Sequence, residues 1–192
     1  FYREKEHFNY LENTILPILK KRFENSFSRD LRIWSAGCSS GEEPYTLVML
    51  MMEFFGANYG NWDAGVLATD ISDKVLSIAR MGIYPLDRID RLPQLYRLRY
   101  FQKLPGNRFQ VTPNVKKEAL FRKFNLMNPA FPFKNQFHVI FCRNVMIYFD
   151  KQTTAELVHK FADALEPNGY FFIGHSETLG RNHPDLLYLK PG

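Results

Sequence analysis

Cysteine is scarce: two residues, Cys38 and Cys142, in a chain of 192. Neither belongs to a Cys-x-x-Cys pair, and each follows an apolar run that reads as a strand. The expectation is two buried, free thiols in a reducing compartment. Long hydrophobic runs are missing as well. No segment is apolar for long enough to span a bilayer, and no signal peptide is evident. A cytoplasmic protein without direct membrane insertion is expected. Repeats and low-complexity segments are absent. So is Gly-x-Gly-x-x-Gly, the loop that lets a dinucleotide pyrophosphate approach the backbone; Gly37 and Gly41 alone do not supply it, which argues against a dehydrogenase. An initiating methionine is lacking too: Phe1-Tyr2-Arg3 begins in mid-pattern, as expected for a fragment of something longer.

Core-forming material is plentiful. Hydrophobic residues make up 45% and aromatics 16%, and the 18 phenylalanines are spread along the whole length. That distribution favours one continuous core over a local patch, and disorder of the body is excluded. The formal net charge is +5. Its basic clusters, Lys20 to Arg22, Arg88 to Arg99 and Lys116 to Lys123, read as solvated helix faces, so no nucleic-acid partner is expected.

The hydrophobic pattern alternates strand and helix. Residues 4–24 read as a helix with Phe8, Leu11, Ile15, Ile18 and Leu19 on one stripe and Pro17 as an expected kink. Strands are expected at Leu31 to Ser35, Gly65 to Thr69, Leu120 to Phe124, His138 to Cys142 and Tyr170 to Gly174, with Leu186 to Leu189 as a candidate last one. Asp73 to Met81 reads as a short helix. Thr153 to Leu165 reads as another, closed by Pro167 and Gly169. Between residues 85 and 118, Tyr100 to Leu104 and Arg108 to Thr112 flank a Pro105-Gly106 turn, an antiparallel hairpin inserted in an otherwise α/β chain. The expected architecture is a doubly wound sheet whose ligands bind beyond the carboxyl ends of the strands.

Polar residues cluster at those ends. Ile33 to Tyr45, IWSAGCSSGEEPY, runs from a strand through a loop of small residues into an acidic helix start. Glu42 and Glu43 stand where a phosphate-cradling loop would carry lysine, so the corner suits a nucleoside with positive charge or hydroxyl donors. Glu43 is either the cap of a helix beginning at Pro44 or part of a Ser40–Glu43 capping box, or else a ligand group. Asp70 ends the second strand, where a carboxylate can accept from both ribose hydroxyls; the alternative is a helix cap, for which Ser72 or Asp73 would already serve. Asn125 beside Leu126 can read one edge and one face of a purine, or simply make a turn. Arg143 and Asn144 follow an apolar strand directly, and a charge there requires a partner or a wet cleft. Tyr148, five residues on, is either an active-site phenol or a core aromatic. His175-Ser176-Glu177 cannot form a catalytic relay among adjacent residues, so His175 is expected to be structural or part of the cleft wall.

In order, RIWSAGCSSGEEPY, LATDIS, FNL, FCRNVMIYF and GHSE resemble the chemotaxis receptor methyltransferases of the CheR type, over roughly Phe1 to Glu177. The resemblance implies a class I methyltransferase-like doubly wound sheet, residues 1–84 and 119–192, with a small antiparallel subdomain inserted at about 85–118. The family's N-terminal helical domain is absent from this chain. It implies S-adenosylmethionine as cofactor, S-adenosylhomocysteine as product, and glutamate side chains of a methyl-accepting chemoreceptor's cytoplasmic domain as acceptors. No metal is implied. Phe1-Tyr2-Arg3 matches the end of the family's Asn-x-Thr-x-Phe-Phe-Arg segment. Arg3 and Tyr148 are then the expected catalytic residues. Arg3, Gly37, Glu43, Asp70, Asn125, Leu126, Arg143 and Asn144 are the expected cofactor-binding ones. Leu104-Pro105-Gly106-Asn107 is compact and has one glycine, whereas family members that bind a receptor-tail pentapeptide use a glycine-rich hairpin loop; a pentapeptide-independent member is expected. The competing expectations are a methyltransferase with another acceptor and a non-catalytic module that binds the nucleoside.

Overall fold

The computed structural model describes residues 1–24, 28–179 and 186–189. The chain opens with α1 (Lys5–Tyr10), a π turn (Leu11–Ile15) and α2 (Leu16–Glu24). Then follow β1 (Asp30–Ala36), α3 (Glu42–Phe55), β2 (Asp63–Asp70), α4 (Asp73–Met81), β3 (Ile83–Pro85), α5 (Leu86–Ile89) and α6 (Gln94–Tyr100). The remaining elements are β4 (Phe101–Leu104), β5 (Arg108–Val111), α7 (Pro113–Lys116), β6 (Ala119–Lys123), β7 (Phe137–Cys142), α8 (Lys151–Ala164) and β8 (Leu165–Ile173).

Five of these strands form one parallel sheet in the order β6-β2-β1-β7-β8. Counting only these strands along the chain, the order is 3-2-1-4-5, which reverses between β1 and β7. Crossovers leave in opposite directions there, so a crevice opens beyond the carboxyl ends of those two strands. Their side chains alternate as a sheet buried on both faces requires. Leu31 and Ile33 of β1, with Val139 and Phe141 of β7, join the core under α1, α2 and α3. Trp34, Ala36, Ile140 and Cys142 join a second core with α8 and the 124–133 segment. The two cysteines are buried and free, and burial pushes both thiols well above their ordinary pKa.

The structure departs from the sequence pattern at five places. Pro17 does not break the first helix. It cannot donate to the carbonyl four residues back and its ring crowds that group, and the preceding turn widens to π geometry instead. The extra residue in that turn rotates the stripe: Leu16 is fully buried, and Ile18, expected on the buried face, is 49% exposed. The small antiparallel sheet has three strands, β3-β5-β4, so the hairpin gains a partner at Ile83–Pro85 that is too short to show periodicity. Helix α8 starts two residues early because Asp150 caps it, accepting from Thr153 N at 2.8 Å. Pro167 and Gly169 do not close that helix. They lie within β8, where Phe137 pairs with Leu165 but Val139 with Tyr170, so residues 166–169 bulge. Near the C-terminus Leu186 makes an isolated bridge, and residues 187–189 form no strand. Among the described residues no helix is long and apolar enough to cross a membrane.

Candidate functional site

The crevice between β1 and β7 is built by five strand ends. After β1 the chain turns through Gly37 (φ 77°), and the N–H groups of Gly37 and Cys38 both donate to Thr69 O, at 2.8 and 2.9 Å. A Cβ on Gly37 would lie 2.4 Å from Val145 Cγ2. Gly37 is thus the point where the first loop touches the one after β7, and its left-handed backbone excludes other residues independently. Gly37→Ala is expected to lower the unfolding free energy by about 2–4 kcal/mol, through overpacking and backbone strain. Val145→Ala in the same chain should restore the packing part only, and denaturant melts of the single and double variants check this.

Glu43 is neither cap nor part of a capping box. Gly41, at φ 94°, holds the N-cap position of α3 without a side-chain bond, and Ser40 Oγ donates to Glu42 Oε2 instead (2.7 Å). Glu43 turns inward over β1. It accepts from Ser35 Oγ at 2.8 Å and lies 3.3 Å from Arg143 Nη1. Burial raises its pKa, and Arg143 and Ser35 pull it back only in part.

Arg143 is the centre of the site. Its side chain is 4% exposed, and it sits over the Phe8 ring, 5.1 Å from the centroid. Nε donates to Glu4 Oε2 (3.1 Å) and Nη2 to the Arg3 carbonyl (2.6 Å), with Nη2 also 3.0 Å from Glu4 Oε2. Nη1, though buried near Glu43, makes no hydrogen bond. One guanidinium therefore joins the N-terminal segment to the first loop. Burial works against the ionised form of Glu4, but Arg143 and the His175 N–H outweigh it and hold the pKa below the usual carboxylate value. His7 beside it is pushed down to about 4 by burial and then by Arg143, so it is neutral at pH 7.

The other expected residues fall around this pair. Arg3 is exposed, and its Nη2 donates to Asn144 Oδ1 at 3.4 Å. Asp70 is not a helix cap; Ser72 caps α4. The two Asp70 carboxylate oxygens each accept one N–H, from Ser39 and from Ser72, both at 2.9 Å, and each keeps a lone pair. Asn125 makes the turn: its Oδ1 accepts from Met127 N at 2.9 Å. Leu126 is buried, and its carbonyl is held by Lys160 Nζ at 2.8 Å. Tyr148 is no core aromatic. It lies on a short turn, Met146–Tyr148, where its N–H donates to Val145 O at 3.3 Å, and it is 80% exposed. The structure thus brings Arg3, Glu43, Arg143 and Asn144 into one contact network, sets Asp70 and Asn125–Leu126 at neighbouring strand ends, and leaves Tyr148 at the surface.

Three contributors had no site role in the sequence reading: Glu4 and His7, and Glu177, met there only within His175-Ser176-Glu177. Glu4 and His7 belong to an ordinary-looking helix start. Glu177 follows a strand-ending glycine by three residues, a spacing that signals a tight turn able to return a carboxylate to the strand ends. Glu4, His7 and His175 also bring ligand atoms within 4.8 Å of one another. Glu4 already carries Arg143, so a dication there would face a buried guanidinium. A cavity of about 580 Å³ lies away from the crevice, against Glu53, Tyr59, Arg99 and Lys117, and contains none of the strand-end residues.

The pairing of a buried cation with a buried carboxylate at a switch point, flanked by Asp70, suits a nucleoside cofactor carrying an amino-acid group. Fold and site together define a class I methyltransferase-like domain. The family model "CheR methyltransferase, SAM binding domain" matches residues 1–190, and the chain belongs to that family. A chemotaxis protein methyltransferase of Borreliella burgdorferi is 49% identical over 191 residues, covering 100% of this chain and 67% of its own length. A probable chemotaxis protein methyltransferase of Rhizobium etli is 39% identical, covering 93% and 66%. A chemotaxis protein methyltransferase of Escherichia coli is 36% identical, covering 93% and 60%. The chain thus spans about two thirds, or less, of the length of these relatives.

Proposed function

We propose that this chain is the cofactor-binding and catalytic part of a protein-glutamate O-methyltransferase acting in chemotaxis. Its acceptors are glutamate side chains on the cytoplasmic domain of methyl-accepting chemoreceptors, and it works in the cytoplasm. Residues 1–84 and 119–192 form the cofactor-binding unit, and about 85–118 an inserted subdomain. The observation that carries the reading is the Arg143–Glu43 pair. The unbonded Nη1 of Arg143 offers a donor to a cofactor carboxylate, and Glu43 an acceptor to its ammonium group. The residues present fit S-adenosylmethionine. Asp70 retains acceptor capacity for ribose hydroxyls, Leu126 offers an apolar face to the adenine, Asn125 an amide to its edge, and Gly37 a loop backbone with no side chain of its own.

S-adenosylmethionine, when bound, supplies an electrophilic methyl group on a sulfonium. The acceptor needs no strong base, since a solvated glutamate has a pKa of about 4.3 and is ionised at neutral pH. The protein's task is therefore to position and desolvate that carboxylate. Arg3, exposed and tethered to Asn144, orients it or the cofactor. Tyr148, exposed on the rim, donates a hydrogen bond to a carboxylate arriving on another protein. The three-residue Pro105–Asn107 turn supports a pentapeptide-independent enzyme; submicromolar binding of receptor-tail peptides to the hairpin would refute that.

The test is transfer of labelled methyl to a receptor fragment by the full-length protein. Base-labile label on glutamate is the expected result. Cofactor binding in calorimetry without transfer would favour a non-catalytic module, and base-stable label another acceptor. Tyr148→Phe is expected to lower turnover by roughly tenfold or more, the range of one transition-state hydrogen bond to a charged group, and unchanged turnover would remove Tyr148 from the mechanism.

A further inference from the structure

We infer that Glu177 is a positioning residue: its carboxylate fills an anion-binding nest made by the backbone after β7 and so sets the geometry of Arg143, Asn144 and the turn that bears Tyr148. The inference deepens the functional reading above and rests on it where the cofactor is concerned.

Four backbone N–H groups converge on this one side chain. Oε2 accepts from Gly174 N (2.6 Å) and Asn144 N (2.9 Å). Oε1 accepts from Val145 N (2.9 Å) and Met146 N (2.7 Å). Asn144 is left-handed, at φ 57°, and Val145 right-handed, at φ −116° and ψ −45°. A left-handed residue next to a right-handed one turns successive N–H groups to the same side, which makes a concavity for an anion. Elsewhere such nests hold phosphate; this one holds the chain's own carboxylate. Without it, three successive N–H groups would point at each other's partial charges, and the left-handed conformation of Asn144 would lose its support.

The approach is built for it. Glu177 N donates to Gly174 O at 2.9 Å, a tight turn that folds the side chain back onto the strand ends. A Cβ at Gly174 would lie 3.0 Å from both Asn144 N and Glu177 Oε2, so glycine there admits the carboxylate. The result is a strap between the carboxyl ends of β7 and β8. Its effect falls on the residues that matter: Asn144 receives Arg3, Val145 touches Gly37, and Arg143 immediately precedes the nest. None of the Glu177 bonds goes to the Arg143 guanidinium, so Glu177 acts through the backbone alone.

Glu177→Gln tests this, because an amide presents N–H to N–H on one side of the nest while keeping the size of the side chain. Two measurements are made on the full-length protein: S-adenosylhomocysteine affinity by calorimetry, and amide hydrogen exchange at Asn144, Val145 and Met146. The expected result is affinity weakened roughly tenfold or more, with faster exchange at those three amides. Gly174→Ala, which crowds the carboxylate without changing it, is expected to do the same and serves if the glutamine variant does not fold. Affinity within twofold of the parent protein would overturn the inference even if thermal stability fell, since a merely structural strap would lower stability alone. Unchanged exchange would overturn it as well. If the parent protein does not bind S-adenosylhomocysteine, the cofactor reading fails, and the exchange measurement alone decides for or against the nest.

Discussion

Arg143→Met is expected to abolish measurable S-adenosylhomocysteine binding and to lower the unfolding free energy by about 3–5 kcal/mol, the range for removing one partner from a buried charge network. The size follows from what is left behind. Arg143 is the cation that Glu4 and Glu43 share, with the Glu4 side chain 10% and the Glu43 side chain 19% exposed. Methionine fills much of the same volume and still covers Phe8, so the loss reports on charge more than on packing. The pH dependence is a second signature. Burial already raises the Glu43 pKa, and without Arg143 only Ser35 remains to oppose that rise. A carboxyl whose folded-state pKa exceeds its unfolded value stabilises the fold below the unfolded value and loses that contribution as pH climbs through the folded one. The variant is therefore expected to regain stability on titration from about pH 7 down toward the ordinary glutamate value of about 4.3. Glu4, held low by Arg143 in the parent protein, adds in the parent a contribution that fades with falling pH. The stability gap between the two proteins should narrow in acid, and a gap independent of pH would mean that Arg143 does not compensate these carboxylates.

Trp34→Ala is the second large effect, also about 3–5 kcal/mol. Trp34 is fully buried on β1 among five phenylalanines, with ring centroids at 4.8 Å (Phe133), 5.2 Å (Phe131 and Phe161), 5.4 Å (Phe137) and 6.0 Å (Phe124). Its Nε1 donates to Thr69 Oγ1 at 2.9 Å. That bond ties it to the same threonine whose carbonyl receives Gly37 and Cys38. The rings are held by a sheet strand, a helix and the irregular 124–133 segment, and they cannot all close on the space an indole leaves. Trp34→Phe should cost less, about 1–3 kcal/mol, chiefly the unpaired Thr69 hydroxyl. Guanidinium melts with unchanged m-values check both; a loss under about 1 kcal/mol for alanine would mean the ring cluster repacks.

Much of the fold was legible because its signals are local. The apolar run of β7, the alternating faces of β1 and the polar residues at the strand ends all lie within a few positions of one another. What was misread had a non-local cause. The phase of the first helix depends on how Pro17 is absorbed, which periodicity does not record. Residues 166–169 look like a helix stop followed by a strand, and become a bulge only because β7 pairs on both sides of them. Glu43 stayed open between cap and ligand because capping is the commonest use of an acid at a helix start; the left-handed Gly41 takes the cap position and leaves Glu43 free to turn inward.

Strand order and charge partners divide what each level of description settles. The sequence by itself determined the alternating α/β pattern, the set of polar residues at the carboxyl ends, the exclusion of a phosphate cradle and the family resemblance. These depend on residue type and short spacing. Only the tertiary structure decided that β1 and β7 are neighbours, that Arg143 joins Glu4 to Glu43 across about 139 and 100 residues of chain, and that Glu177 supports the loop beside them. Hydrophobic periodicity tells a strand which face to bury, but it carries no information about which charged side chain will meet it at the end.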